Sequence, residues 1–296
     1  MKAQKPQQGV ALVIVLWVTM LITITTGAFT VLARTENLQA HQLLSGTRAR
    51  YAAEAGMNLA IMKVRDPNEL TRLIPDGRSY FWEFEGMQLE IQMVDERGKI
   101  NLNSVNELVL INWLVAMGLE DQQVAEVSDA ILDWLDPDDF TRAYGAEYDD
   151  YDSAGLPYGP SNAPFVILEE LQQVLGVNHE LFKKLEPALS LHSSGRGVDP
   201  MFAPYEALLS IPGMTPELAQ ETVQLRNTTE PGTEPLIQLP DGTTVSASSI
   251  GNIHTVTVKA TAQNGIWEQI EATVAFGSQT GERPYEILRW REGVRG

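Results

Sequence analysis

The sequence predicts an α+β protein: a long N-terminal transmembrane helix, an antiparallel sheet, and a large all-α domain inserted into that sheet. Three observations carry this. Residues Val10 to Ala33 contain no charged side chain. Strand-like segments occupy residues 67–103 and return at 231–296. Between them, from 104 to 230, the apolar residues recur at helical spacing.

Residues 1–9 form a short polar leader with Lys2 and Lys5, closed by Gly9. At about 1.5 Å per residue, the run 10–33 makes a helix about 36 Å long, enough for a hydrocarbon core of about 30 Å. The run outlasts the apolar region of a signal peptide. The preceding lysines put the N-terminus in the cytoplasm and the bulk of the chain outside it. Val31-Leu32-Ala33 resembles a signal-peptidase site, so a product starting at Arg34 is the alternative. The helical pattern continues through 34–66 and stops at Asp66-Pro67. Its outer part bears small residues: Ala49, Ala52, Ala53, Ala55, Gly56 and Ala60. Such a stripe lets another element approach the helix axis; alanine is also simply a good helix former.

Tyr80 to Phe84 and the alternating Met87 to Val94 read as a hairpin across Glu85-Gly86. Asp95 to Asn103 reads as a turn and a short strand. In the helical block three segments repeat one plan, around Gly118, Gly176 and Gly213: a helix, a glycine that ends it in left-handed backbone, then a second helix. Strands are then expected at Leu236–Leu239, Thr243–Ser249, Asn252–Gln263, Trp267–Phe276 and Tyr285–Trp290, with a turn at Asn264-Gly265.

The net charge of −18 argues against a nucleic-acid partner, because non-specific binding needs a basic face. The segment "LLSIPGMTPELAQETVQLR" does look like a helix-hairpin-helix, and a membrane-tethered periplasmic DNA-binding protein is one alternative reading. Near its turn, however, Arg226 stands among Glu206, Glu217 and Glu221. There is no cysteine, hence no disulfide framework. No G-x-S-x-G, H-E-x-x-H, P-loop or G-x-G-x-x-G is present, and the four histidines are scattered, so no enzyme is expected.

The segment 133–152 holds eight acids and one base, Arg142. Clustered carboxylates suit a hard cation that takes six to eight oxygens. The spacing is not that of an EF-hand, because Phe140 stands at the third ligand position. A solvated acidic loop and a pair of catalytic carboxylates are the competing readings.

A basic leader ending in glycine, an uncharged helix starting at the next residue and an alanine-rich continuation resemble the type IV pilin and pseudopilin class. The resemblance implies a pilin-like fold, cleavage after Gly9 by prepilin peptidase, and methylation of Val10. Most members carry glutamate at the fifth mature position; this chain has Ile14 there. That glutamate is thought to pair with the N-terminal amine of the subunit above, so its absence suits a subunit at the tip. An unpaired charge in lipid is costly.

"DERGKINLN" (95–103), "DWLDPDD" (133–139), "GAE" (145–147) and "ILRWRE" (287–292) resemble minor pseudopilin K of the type II secretion system (the general secretion pathway protein K family). From that resemblance follow a place at the pseudopilus tip and a role in initiating assembly for protein export. It also implies minor pseudopilins I and J, the major pseudopilin and the inner-membrane secretion platform as partners. The location implied is the bacterial inner membrane, single-pass, with a periplasmic globular part. The resemblance further implies bound calcium, with Asp133, Asp136, Asp138, Asp139, Glu147 and Asp149 or Asp150 as ligands. After "GAE" the family more often has adjacent tyrosines. A minor pilin of a type IV pilus is the nearest alternative.

Overall fold

Residues Val10–Lys63 form one continuous helix, α1. The structure is a computed structural model, and it describes residues 10–193, 197–230, 232–233, 235–246, 249–277 and 284–293. The leader and Gly9 lie outside that set. In the uncharged part of α1 every side chain is exposed, including Leu12, Ile14, Trp17 and Phe29. Threonine hydroxyls at 19, 23, 25 and 30 donate to carbonyls of the preceding turn, so they carry no free donor into an apolar medium. Burial begins only at Ala49 and follows one stripe: Ala49, Ala52, Ala53, Gly56, Met57, Ala60. Between Arg34 and Leu44 the helix is bare.

The small-residue stripe meets the protein's own sheet. Five strands lie in the order β1-β2-β3-β4-β5, all antiparallel. They are β1 (Asp76–Phe84), β2 (Met87–Asp95), β3 (Ile253–Thr261), β4 (Trp267–Phe276) and β5 (Tyr285–Glu292). Alternation sends Leu89, Ile91, Met93, Val256, Val258, Ala260, Ile270, Ala272 and Val274 into one core with the α1 stripe. A Cβ on Gly56 would lie 2.7 Å from Val258 Cγ1, so only glycine allows this approach. Glu85 and Gly86 both have positive φ (49° and 73°), the geometry of a two-residue hairpin turn. The β3–β4 connection is wider than Asn264-Gly265 alone. Gly265 N–H bonds Ala262 O, and Ala262 N–H bonds Ile266 O.

Strands β2 and β3 are neighbours in the sheet, yet the whole helical block lies between them in the chain. That block comprises α2 (Glu107–Ala116), α3 (Asp121–Leu135), α4 (Tyr148–Ser153), α5 (His179–Leu185), α6 (Tyr205–Leu208) and α7 (Pro216–Thr228). It has its own core, with Leu110, Trp113, Leu114, Ile131, Leu171, Phe182, Leu185 and Leu208. Gly118, Gly176 and Gly213 all take positive φ, as the repeat requires. Two short pairs stand apart from the main sheet: Ile100–Asn101 with Leu189–Ser190 (parallel), and Ile237–Gln238 with Thr244–Val245. The second replaces the longer strands expected at Leu236–Leu239 and Thr243–Ser249; Ala247 and Ser248 are outside the described residues. Ile237 is buried against Met201 and Phe202 of the insert, so this ribbon packs with the insert rather than the sheet. The chain re-enters the sheet at Ile253, later than the boundary drawn at 231.

Entry and exit of the insert are fastened to each other. Asp95, the last residue of β2, accepts from Arg97 and from Gly251 N–H at 2.6 Å. Arg97 also donates to Ser249 O. Its neighbour Gly98 abuts the Phe202 backbone, where a Cβ would come within 2.5 Å. A second fastening is ionic: Arg289 and Arg291 of β5 bridge Glu169 and Glu186 of the insert, together with Glu271 of β4.

Opposite Asp95 in the register sits His254, fully buried, with neither ring nitrogen hydrogen-bonded. Burial pushes its pKa down to about 4, against an opposing pull from Asp95. The unfolded chain therefore takes up this proton first, near pH 6.5. Stability from the neutral ring is complete above about pH 6.5 and is lost as pH falls toward 4, by about 3 kcal/mol in all. The expected result is that urea midpoints of the native chain and of His254→Phe diverge across that window and run parallel above it.

Candidate functional site

The acidic segment begins on α3. This helix is amphipathic, and its buried face (Val124, Val127, Ala130, Ile131, Trp134) also carries Asp133, which is fully buried. Asp136 caps the C-terminal end, and Pro137 prevents continuation. The chain then turns back over Asp133. Arg142 N–H donates to Asp133 Oδ2 at 3.2 Å, and Tyr144 N–H to Asp129 Oδ2 at 3.0 Å. Gly145 is required here, since a Cβ would meet Asp133 Oδ2 at 1.9 Å. Glu147 follows, buried, just before α4. Below the loop, the Trp134 ring stacks on Phe165 and leans on Tyr151.

The connector 156–165 closes the site from the other side. Asn162 adopts a left-handed φ of 47°, uncommon for a residue other than glycine. Its Nδ2 donates to Asp138 O and to Asp139 Oδ1 at 3.0 Å. Four oxygens are then left buried with no hydrogen-bond partner: Asp133 Oδ1, Asp136 Oδ1, Glu147 Oε1 and Asn162 Oδ1. Native interiors rarely tolerate such orphans without an unseen partner.

Electrostatics point the same way. Burial, then the charges of Asp133, Asp136, Asp139 and Asp138, raise the Glu147 pKa to about 7. Burial also raises Asp133, with Asp136 adding to it, and raises Asp136, with Asp138 adding to it. Among the described residues, the cation lying against these acids is Arg142. Its guanidinium lies 3.4 Å from Asp133, 3.9 Å from Asp136 and 3.3 Å from Glu107.

Five of the sequence-predicted ligands, Asp133, Asp136, Asp138, Asp139 and Glu147, thus share one field. The other two do not join it. Asp150 Oδ2 accepts the Glu147 N–H at the start of α4, and Asp149 is exposed on that helix. Asn162 was not foreseen: a neutral amide in a Pro- and Gly-rich connector gives no acidic signal, and only folding places it over the loop. The donor set is what a hard divalent cation prefers, all oxygen and mostly anionic. As the side chains stand, no three Asp, Glu or His among the described residues converge closely enough to enclose an ion. The orphaned oxygens fit the cation chemically; closing on it needs side-chain movement.

Val10 opens α1 and Ile14 lies on its exposed apolar part. The helix-hairpin-helix reading loses its base. Arg226 is 2 % exposed and donates to Pro200 O and Ala203 O, so it faces the interior.

Comparison with known proteins agrees with this architecture. Residues 91–194 match the family model described as type II secretion system (T2SS), protein K. The chain is similar to type II secretion system protein K of Pectobacterium carotovorum subsp. carotovorum, with 25% identity over 205 residues, 61% of this chain and 62% of that one. It is also similar to type II secretion system protein K of Aeromonas hydrophila, with 35% identity over 75 residues, 25% of this chain and 23% of that one. The aligned parts span under two thirds of these relatives' lengths. Among solved structures, a chain in the crystal structure of the GspK-GspI-GspJ complex from the enterotoxigenic Escherichia coli Type 2 Secretion System shares the fold. Its TM-score is 0.55 at 14% identity, over 89% of this chain and 99% of that chain. The matched segment and the like-named relatives make this chain similar to type II secretion system protein K, and the solved structure shares its fold.

Proposed function

We propose that this protein caps a pseudopilus: a minor pseudopilin anchored by α1 in the inner membrane, N-terminus in the cytoplasm, sheet and insert in the periplasm. The observation that carries the reading is Ile14 in the uncharged, exposed part of α1, residues 10–33. Without an acid there, α1 has nothing to pair with the amine of a subunit above it, whereas its apolar sides can pack laterally against other helices in lipid. Minor pseudopilins I and J are the partners this position asks for, with the major pseudopilin below. The assembly would start from this subunit, be processed by prepilin peptidase, and serve export across the outer membrane. No step of this requires catalysis. Calcium is the cation proposed for the acidic loop, held by Asp133, Asp136, Glu147 and Asn162, with Asp138 and Asp139 close by. It would neutralise a loop that otherwise repels itself.

The test is the intact mass of the membrane-extracted chain, made with and without prepilin peptidase. The expected product starts at Val10 and carries one methyl group, only when the peptidase is present. A product starting at Arg34 would mean a removed signal peptide and would end the tip reading. Deletion should abolish protein secretion and leave type IV pili intact; lost pili with normal secretion would instead support a minor pilin.

A further inference from the structure

Resting on the cation-site reading above, we infer that Arg142 is a built-in counter-cation that occupies the acidic site and competes with a divalent metal ion for it. The placement is specific. Among the eight acids of residues 133–152, Arg142 is the one base. Its Nε is buried between Asp133 Oδ1 and Asp136 Oδ2 without a hydrogen bond to either, and its NH1 reaches Glu107 on α2. The guanidinium therefore offers charge without satisfying the carboxylate oxygens. Asp133 Oδ1, Asp136 Oδ1, Glu147 Oε1 and Asn162 Oδ1 all stay without a hydrogen bond.

The oxygens are the right kind for a hard cation, yet among the described residues no three acids converge on one point, and a bulky planar cation lies against two of them, Asp133 and Asp136. The arginine can leave without unfolding the loop. Its backbone N–H, not its side chain, holds Asp133 Oδ2. The side chain is about one third exposed and already has an outer carboxylate, Glu107, to turn toward. A metal ion entering between Asp133 and Asp136 would displace the guanidinium outward, and the carboxylates would close in behind it. The site then has two occupied states, one with arginine and one with metal, and Glu107 holds the guanidinium in both.

The consequence runs against the usual effect of deleting a side chain at a binding site. Removing Arg142 should strengthen metal binding, because a positive charge beside a divalent ion weakens it. In the detergent-solubilised full chain, stripped with chelator and titrated with calcium by calorimetry, Arg142→Gln should bind about tenfold more tightly than the native chain. Without metal the same variant should melt about 2–4 °C lower, since the acids lose their counter-charge; with saturating calcium the difference should vanish. Arg142→Lys keeps the charge and should keep the native affinity. Equal or weaker binding by Arg142→Gln overturns the competition. Absence of calcium binding by both the native chain and Arg142→Gln overturns the cation-site reading itself.

Discussion

Saturating calcium is expected to raise the stability of the native chain by about 4 kcal/mol at a thousandfold excess over Kd, and Glu147→Gln to remove most of that gain. Burial first, and then four neighbouring acids, raise the pKa of the Glu147 carboxyl to about 7. It is buried, it feels four other acids, and one of its oxygens has no partner. An ion bound there relieves desolvation and mutual repulsion at once, so metal-linked stabilisation should be large. The glutamine variant removes one negative charge, so without calcium it should be at least as stable as the native chain. Its loss should appear only in the calcium-dependent part. Urea melts of both chains with calcium and with chelator measure this. A variant that gains as much from calcium as the native chain would exclude Glu147 from the site. Asp149→Asn is the matched control, because that side chain is exposed on α4 and should change little.

Trp113→Ala should cost about 3–5 kcal/mol and should fall on the insert rather than the sheet. Trp113 is 1 % exposed, and its Nε1 donates to Glu206 O at 2.8 Å, tying α2 to α6. Truncation removes a large apolar volume and leaves the partly buried Glu206 carbonyl without this donor. The insert and the sheet have separate cores. Hydrogen exchange should therefore rise first in α2, α3 and α6, while β2, β3 and β4 keep their protection. Equal loss of protection in both would show that the two cores unfold as one unit, coupled through Asp95, Gly98 and the Arg289–Arg291 bridges.

How the insert is mounted bears on both results. The acidic site sits wholly on the insert, between α3, α4 and the connector. The small-residue stripe of α1 packs on the sheet. Sheet and insert are joined at Asp95–Gly251, at Arg291–Glu186, and at Arg78 of β1, whose guanidinium donates to Arg226 O and Thr229 O at the end of α7. Those contacts are polar and partly buried, so they fix orientation more than they add net stability.

Much of this protein is legible from local pattern alone. The uncharged run of 24 residues, its continuation to Lys63, the alternation of β2 and β4, and the hairpin at Glu85-Gly86 follow from properties of neighbouring residues, which the chain displays in order. The three glycines with positive φ belong to the same class, because left-handed backbone is a local demand. The acidic cluster was visible as composition, and five of its acids do share a field. Tertiary structure decided the rest, since it depends on which distant segments meet. That the small-residue stripe packs on the sheet, that residues 237–245 side with Met201 and Phe202, and that Arg226 is turned inward are outcomes of packing. So is the selection within the cluster. Asp150 is drawn to the Glu147 N–H by the start of a helix, while Asn162, an amide remote in sequence, is carried over the loop by its connector. A sequence lists the groups able to hold a cation; burial determines which of their oxygens are left without any other partner.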